Sequence, residues 1–174
     1  MHPTESAVAI VLPRADAVLG PHRARLDRSA AWGVPAHVTV LYPFVPPASI
    51  DDDVLAGVAE ATAAVPAFQV TLRQFGWFND EVLWLAPEPA EPFRALTTAV
   101  RQRFPGIAPY EGAHPDPVPH VTIGHDAPRE VLVAAARAIE PHLPIREEVT
   151  VATLLQGSPD PGSWHTVAEF PLSG

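Results

Sequence analysis

Hydrophobic and polar positions along the chain change period at almost every proline, and each period points to an element. SAVAIVLP, residues 6–13, is a short aliphatic run closed by Pro13, as expected of a buried strand. After Gly20-Pro21, a segment rich in Arg and Ala reaching Trp32-Gly33 is predicted to be helical, with Pro21 at its start, where the missing N–H costs nothing. AHVTVLYPF, residues 36–44, is rich in β-branched and aromatic residues and is predicted to be a strand. Ser49 ahead of Asp51, Asp52 and Asp53 supplies a capping hydroxyl and carboxylates for the positive end of a helix dipole. A helix is therefore expected from there to about Val65.

Phe68, Val70 and Leu72 alternate with Gln69, Thr71 and Arg73, which gives a strand with one apolar face. EVLWLAP, residues 81–87, reads as a second strand joined to it through GWFND in a hairpin. Phe93, Leu96, Val100 and Phe104 recur at helical spacing until Pro105-Gly106 stops the run. Residues 105–119 hold too many Pro and Gly for a regular element and are expected to form a loop. HVTIGH, residues 120–125, returns to strand, and Asp126 is expected to cap a helix from about Pro128 to Glu140. REEVTVATLLQGS and SWHTVAEFPL are predicted to close the chain as a hairpin.

Two of these strands carry the same words, HVTV at residues 37–40 and HVTI at residues 120–123. Side chains alternate faces along a strand, so His37 and Thr39 share one side while Val38 and Val40 take the other. His120 and Thr122 stand together in the same way, with Val121 and Ile123 behind them. One such run is ordinary for a half-buried strand; two, one in each half of the chain, suggest internal pseudo-symmetry. If the strands flank a common cleft, two imidazoles and two hydroxyls converge on it. Breaking a phosphodiester needs a base for the attacking oxygen and an acid for the leaving one, and a histidine pair supplies both without metal. Thr39 and Thr122 are placed to donate hydrogen bonds to the non-bridging oxygens, where charge accumulates.

Charge narrows the substrate. With 20 acidic against 11 basic residues the formal net charge is −9, and such a surface repels an extended polyanion. A small phosphate ester is expected as the partner rather than long nucleic acid held tightly. The chain has no cysteine, hence no disulfide framework, thiolate nucleophile or cysteine-ligated zinc, and a cytoplasmic location is the expectation. No apolar run is long enough to span a membrane, and the first residues lack the basic start of a secretory signal. A length of 174 residues suits one domain, residues 1–174, and a monomer is expected.

HVTV and HVTI resemble the paired H-x-[ST]-x motifs of the 2H phosphoesterase superfamily, which includes 2′-5′ RNA ligase-like proteins and cyclic phosphodiesterases. LYPF after the first motif, FGWFNDEVLWLAPEP, FPG after the middle helix and HPDPVPHVTIG around the second are similar too. The resemblance spans most of the chain. It implies a bilobal α+β, LigT-like fold: two pseudo-symmetric lobes, each an antiparallel sheet with flanking helices, around a central cleft. It also implies His37 and His120 as acid and base and Thr39 and Thr122 as phosphate ligands, and no metal or cofactor is expected. Opening of 2′,3′-cyclic phosphates is the expected reaction. Reversible 2′-5′ RNA ligation and non-catalytic binding of a nucleotide or RNA end are the alternatives.

Other residues are candidates of a different weight. Arg73, on the polar side of its strand, either helps hold phosphate or pairs with one of the many acids. Tyr42, Phe44, Trp77 and Phe78 either stack on a base or pack in the core. His125 falls on the opposite strand face from His120 and is expected to be structural or exposed, and a metal site built from His114, His120 and His125 lacks a supporting carboxylate pattern. His2, His22, His142 and His165 have no motif around them. The loop before His120 is a candidate rim for substrate choice.

Overall fold

The computed structural model describes residues 2–113 and 116–174. Among these, eight strands form two antiparallel four-stranded sheets. The first sheet contains β1 (Glu5–Val11), β2 (His37–Leu41), β7 (Val151–Gly157) and β8 (His165–Pro171) in the order β2-β1-β7-β8. The second contains β3 (Phe68–Phe78), β4 (Val82–Glu88), β5 (Val121–His125) and β6 (Ile145–Val149) in the order β5-β4-β3-β6. Helices α1 (Pro13–Leu26), α2 (Arg28–Ala31), α3 (Asp52–Ala63), α4 (Glu91–Arg103) and α5 (Arg129–Ile139) flank the sheets. This is the bilobal α+β architecture expected, two antiparallel sheets with flanking helices. β2 and β5 are both edge strands, each at the end of its own sheet, and they contact one another.

The inward faces of both sheets and the helices share one apolar core, in which Val8, Ile10, Val38, Leu72, Leu83, Leu85, Leu96, Val121, Ile123 and Leu132 are essentially inaccessible to solvent. A smaller cluster of Ala7, Ala9, Val34, Leu155 and Trp164 lies apart from it. Across β1, Ala9 pairs with Thr39 and Val11 with His37, so the small residues of β1 share the sheet face from which His37 and Thr39 project. None of the described helices is long and apolar enough to cross a membrane.

Several elements differ from their sequence-based expectation, and each difference has a long-range cause. α1 begins at Pro13 and carries Pro21 in its interior. Buried Ala15, Leu19 and Arg23, four residues apart, anchor the helix on both sides of Pro21 and outweigh the hydrogen bond it removes. The first amides of α1, those of Arg14 and Ala15, donate to the buried Glu147 carboxylate on β6 at 2.9 and 3.3 Å, a cap supplied from over 130 residues away. Ser49 ends a 3₁₀ turn, Pro47–Ser49, and it is the Asp51 carboxylate that caps α3 by accepting from Val54 N at 2.9 Å. Asp126 does not cap α5; its backbone is left-handed at φ +61° and its carboxylate pairs with Arg28. β3 runs on through Gly76-Trp77-Phe78, so the hairpin turn is shorter than GWFND and passes through Asn79 at φ +50°. Finally, REEVTVATLLQGS is two strands, β6 on β3 and β7 on β1. The chain changes sheet at Thr150, while the hairpin with SWHTVAEFPL involves β7 and β8 alone.

Candidate active site

β2 and β5 each bury their aliphatic side and leave the motif side partly open. Val38, Val40, Val121 and Ile123 are at most 2% exposed, whereas His37, Thr39, His120 and Thr122 are half-buried on the opposite side. Both motifs are preceded by proline, Pro35 in one and Pro119 in the other. Proline forces the residue before it, Val34 or Val118, away from helical backbone and keeps the approach extended.

The two imidazoles are held by the same device. His37 Nδ1 lies 2.8 Å from the carbonyl oxygen of Pro35, and His120 Nδ1 lies 2.7 Å from that of Val118, in each case two residues upstream. A carbonyl only accepts, so Nδ1 must carry the proton, and Nε2, on the far side of the ring, keeps its lone pair. Each ring therefore presents a basic nitrogen away from its own backbone. Burial pushes the His37 pKa down to about 4; the bond to Pro35 and the Asp27 carboxylate oppose this, and the charges of Arg23 and His120 add to it. Burial likewise lowers the His120 pKa, against the bond to Val118.

Behind His37 stands a buried ionic frame. Arg23 is 1% exposed; its guanidinium donates to Asp27 Oδ2 at 2.9 Å, to the Val34 carbonyl at 3.1 Å and to Ser29 Oγ at 3.2 Å, with Asp16 Oδ1 at 3.5 Å. Asp16 Oδ1 in turn accepts from Ala36 N at 2.8 Å. Arg23 and Asp16 thus grip the peptide groups on both sides of Pro35, whose carbonyl fixes the His37 ring. Neither residue stands out in the sequence, where Arg23 is one charged position in a helical run and its partners lie before and after it. The i, i+4 spacing of Arg23 and Asp27 is the one local signal.

A cleft of about 150 Å³ opens beside the motifs, with Thr39, Tyr42, Arg94, Thr97, Thr98, Arg101, Tyr110, Asp116 and His120 on its walls. Tyr110 belongs to a turn, Pro109–Gly112, within the Pro-rich loop, in which Tyr110 and Glu111 are left-handed. Its amide donates to the Tyr42 carbonyl at 2.6 Å, and its side chain is hydrogen-bonded to Thr39, which partly offsets the rise in its pKa caused by burial. That loop is thus a wall of the cleft. Tyr42 lines it as well, with its hydroxyl donating to Glu5 Oε2 at 2.9 Å; burial, then this bond, raise its pKa to about 12. On the β5 side, His120 packs edge-on against Phe78 and Trp84, at 4.8 and 6.0 Å between ring centres. Trp84 pairs across the ladder with Thr122 on one side and Gly76 on the other. Only glycine fits at 76, since a Cβ there would lie 2.4 Å from the indole.

The remaining candidates fall elsewhere. Arg73 does not line the cleft; it sits at a bulge in β3 with its guanidinium 3.1 Å from Glu88. Phe44 is buried against Phe104, and Trp77 lies under the Arg129 guanidinium. His125 is exposed beside Asp126. His114 lies outside the described residues, among which no group of three or more His, Asp or Glu is arranged to hold a metal ion.

The model of the 2′-5′ RNA ligase superfamily matches residues 12–160. Among solved structures, the chain superposes on TT0787 of Thermus thermophilus with a TM-score of 0.67 at 20% identity, covering 98% of each chain. On E. coli LigT in apo form the TM-score is 0.65, and on E. coli LigT complexed with 3′-AMP it is 0.60, both at 20% identity over 100% of each chain. None of the curated proteins compared matches the chain in sequence. With the family pattern running from the end of β1 past β7 and the fold matched end to end, the chain belongs to the 2′-5′ RNA ligase superfamily, the LigT-like 2H phosphoesterases.

Proposed function

We propose that the cleft opens the 2′,3′-cyclic phosphate of a nucleotide or short RNA end, with His37 and His120 as general base and acid and no metal. The observation that carries this reading is the matched pair of Nδ1–carbonyl bonds, which leaves Nε2 of both rings for proton transfer. His37, with its pKa near 4, is neutral at physiological pH and takes the proton from water through Nε2. The water oxygen bonds to phosphorus, the P–O bond to one ribose oxygen breaks, and His120, protonated on Nε2, gives its proton to that oxygen. Ring opening therefore yields a phosphomonoester and an alcohol, and the histidines exchange charge states. Thr39 and Thr122 donate to the non-bridging oxygens as their charge grows. The reading draws support from the superfamily, and from E. coli LigT, which has been crystallised with phosphate, with 3′-AMP and with ATP.

Ligation is the second reading, favoured by the superfamily's own description. The same pair then serves a 5′-hydroxyl in place of water, joining it to a cyclic phosphate end. Incubation with 2′,3′-cyclic nucleotides, and separately with short RNAs bearing cyclic-phosphate and 5′-hydroxyl ends, decides between them. The proposal predicts monoester product from the former; an intact, folded protein inert toward every such ester refutes it.

The pH profile follows from the two shifts. Above about pH 4 His37 keeps its lone pair, so the acidic limb of the profile falls as pH drops through that value. The His120 pKa lies below its usual 6.5 in the free protein, so the protonated acid is already being depleted as pH rises to 6.5. We expect kcat/KM to peak on the acidic side of 6.5. A bound phosphate favours both imidazolium forms, so the kcat profile lies at higher pH than that of kcat/KM. Coincident profiles with an optimum above pH 7.5 would contradict the assignment.

A further inference from the structure

We infer that the α4 wall of the cleft is a subsite for a second phosphate of the substrate, and that the protein prefers cyclic phosphates of nucleotides bearing another phosphoryl group over those of simple nucleosides. This rests on the cyclic-ester reading for the position of the reacting phosphate. The four α4 residues in the cleft are Arg94, Thr97, Thr98 and Arg101, spaced i, i+3, i+4 and i+7, which is one stripe of a helix. The adjoining stripe of Phe93, Leu96 and Val100 is buried in the core, so packing fixes the rotation of α4 and presents the cationic stripe to the cleft. Thr97 Oγ1 donates to the Val40 carbonyl at 2.9 Å, tying this wall to the strand residue next to Thr39.

Position sets Arg94 apart. The chain carries a net −9, and exposed Arg28, Arg73, Arg103 and Arg129 are answered by carboxylates. Arg25, Arg137 and Arg146 are exposed without one among the described residues but lie outside the cleft that Arg94 shares with Thr39 and His120. The Arg94 guanidinium is exposed in the cleft and makes no hydrogen bond or ion pair among the described residues. The other charged groups lining the cleft are Arg101 on the same helix and Asp116 in the loop before His120, with Glu91 one turn upstream on α4. A guanidinium left without a partner, in the same cleft as Thr39 and His120, is matched by a phosphate, which it binds as a fork. The chemistry is that of a 5′-phosphate on a mononucleotide or of the preceding diester in an RNA end.

Binding separates this inference from the reaction itself. Calorimetry with adenosine 3′,5′-bisphosphate and adenosine 3′-monophosphate should show the bisphosphate binding at least about tenfold tighter to the wild type, the smallest gain expected from a charge-assisted hydrogen bond. R94Q should bring the two affinities to within about twofold, R94K should keep part of the difference, and added salt should shrink it. Equal affinities in the wild type, or a ratio untouched in R94Q, overturn the subsite. In turnover, kcat/KM for adenosine 2′,3′-cyclic phosphate is compared with that of its 5′-phosphorylated form and of a dinucleotide ending in the same cyclic phosphate. The faster of the two extended esters identifies the source of the second phosphate. Absence of all turnover with the binding ratio intact removes the cyclic-ester reading and leaves the subsite standing.

Discussion

Replacing His37 or His120 by Ala should lower kcat for a 2′,3′-cyclic nucleotide by about a hundred- to ten-thousand-fold each, the range of a positioned acid or base. The two losses should not multiply. Once one proton transfer is lost the other group has little left to assist, so the double variant should resemble the worse single one. Binding of inorganic phosphate should persist in both, because Thr39 and Thr122 remain on their strands. Both rings are half-buried and each removal costs one bond to a carbonyl, so unfolding free energies should fall by no more than about 1–2 kcal/mol. Measured kcat, phosphate affinity and denaturant midpoints together decide the matter. A folded H120A retaining near-wild-type kcat would remove His120 from the chemistry, and a protein with no turnover to lose would be a binding module.

The second large effect concerns stability. Arg23→Met leaves the Asp27 carboxylate, 8% exposed, without its cation, and also frees the Val34 carbonyl. Breaking a buried pair on one side typically costs about 3–5 kcal/mol, a large part of the roughly 5–15 kcal/mol that holds a domain together. Urea titration should show that loss, and adding Asp27→Leu should restore much of it, since a buried pair exchanged for apolar residues is often neutral. If R23M alone unfolds at the wild-type midpoint, the frame behind His37 is not structural. The peptide grip has its own readout. Asp16→Ala removes the acceptor for Ala36 N and should lower kcat with little change in KM, whereas Asp16→Asn, which still accepts that bond, should stay near wild type.

Local patterns carried the site candidates, because everything they depend on lies within a few residues. Period-2 alternation alone places His37 with Thr39 and His120 with Thr122, and the prolines just upstream mark the extended approach. That two edge strands of different sheets contact one another is a fact of topology, and the sequence suggested it only through the repeated motif. Elements were misjudged where the deciding partner is distant. The start of α1 depends on Glu147, and the division of β6 from β7 depends on which sheet each half joins. For Arg73 the polar strand face left a phosphate and an acid partner both open, and the bulge at that point sets it beside Glu88. Tyr110 was hidden for a different reason: its φ of +49° and that of Glu111 at +54° place it over Thr39 through a backbone shape that no propensity of Tyr or Glu announces.

The central claim is that the two rings share a single phosphate. Nitrogen-15 NMR of the imidazoles during titration with inorganic phosphate addresses this without assuming any substrate. His37 and His120 Nε2 should shift together along one saturation curve, with the pKa of each raised in the bound state, while both Nδ1 stay protonated throughout. Response of one ring alone, or of the two with different dissociation constants, would mean that no common phosphate lies between them.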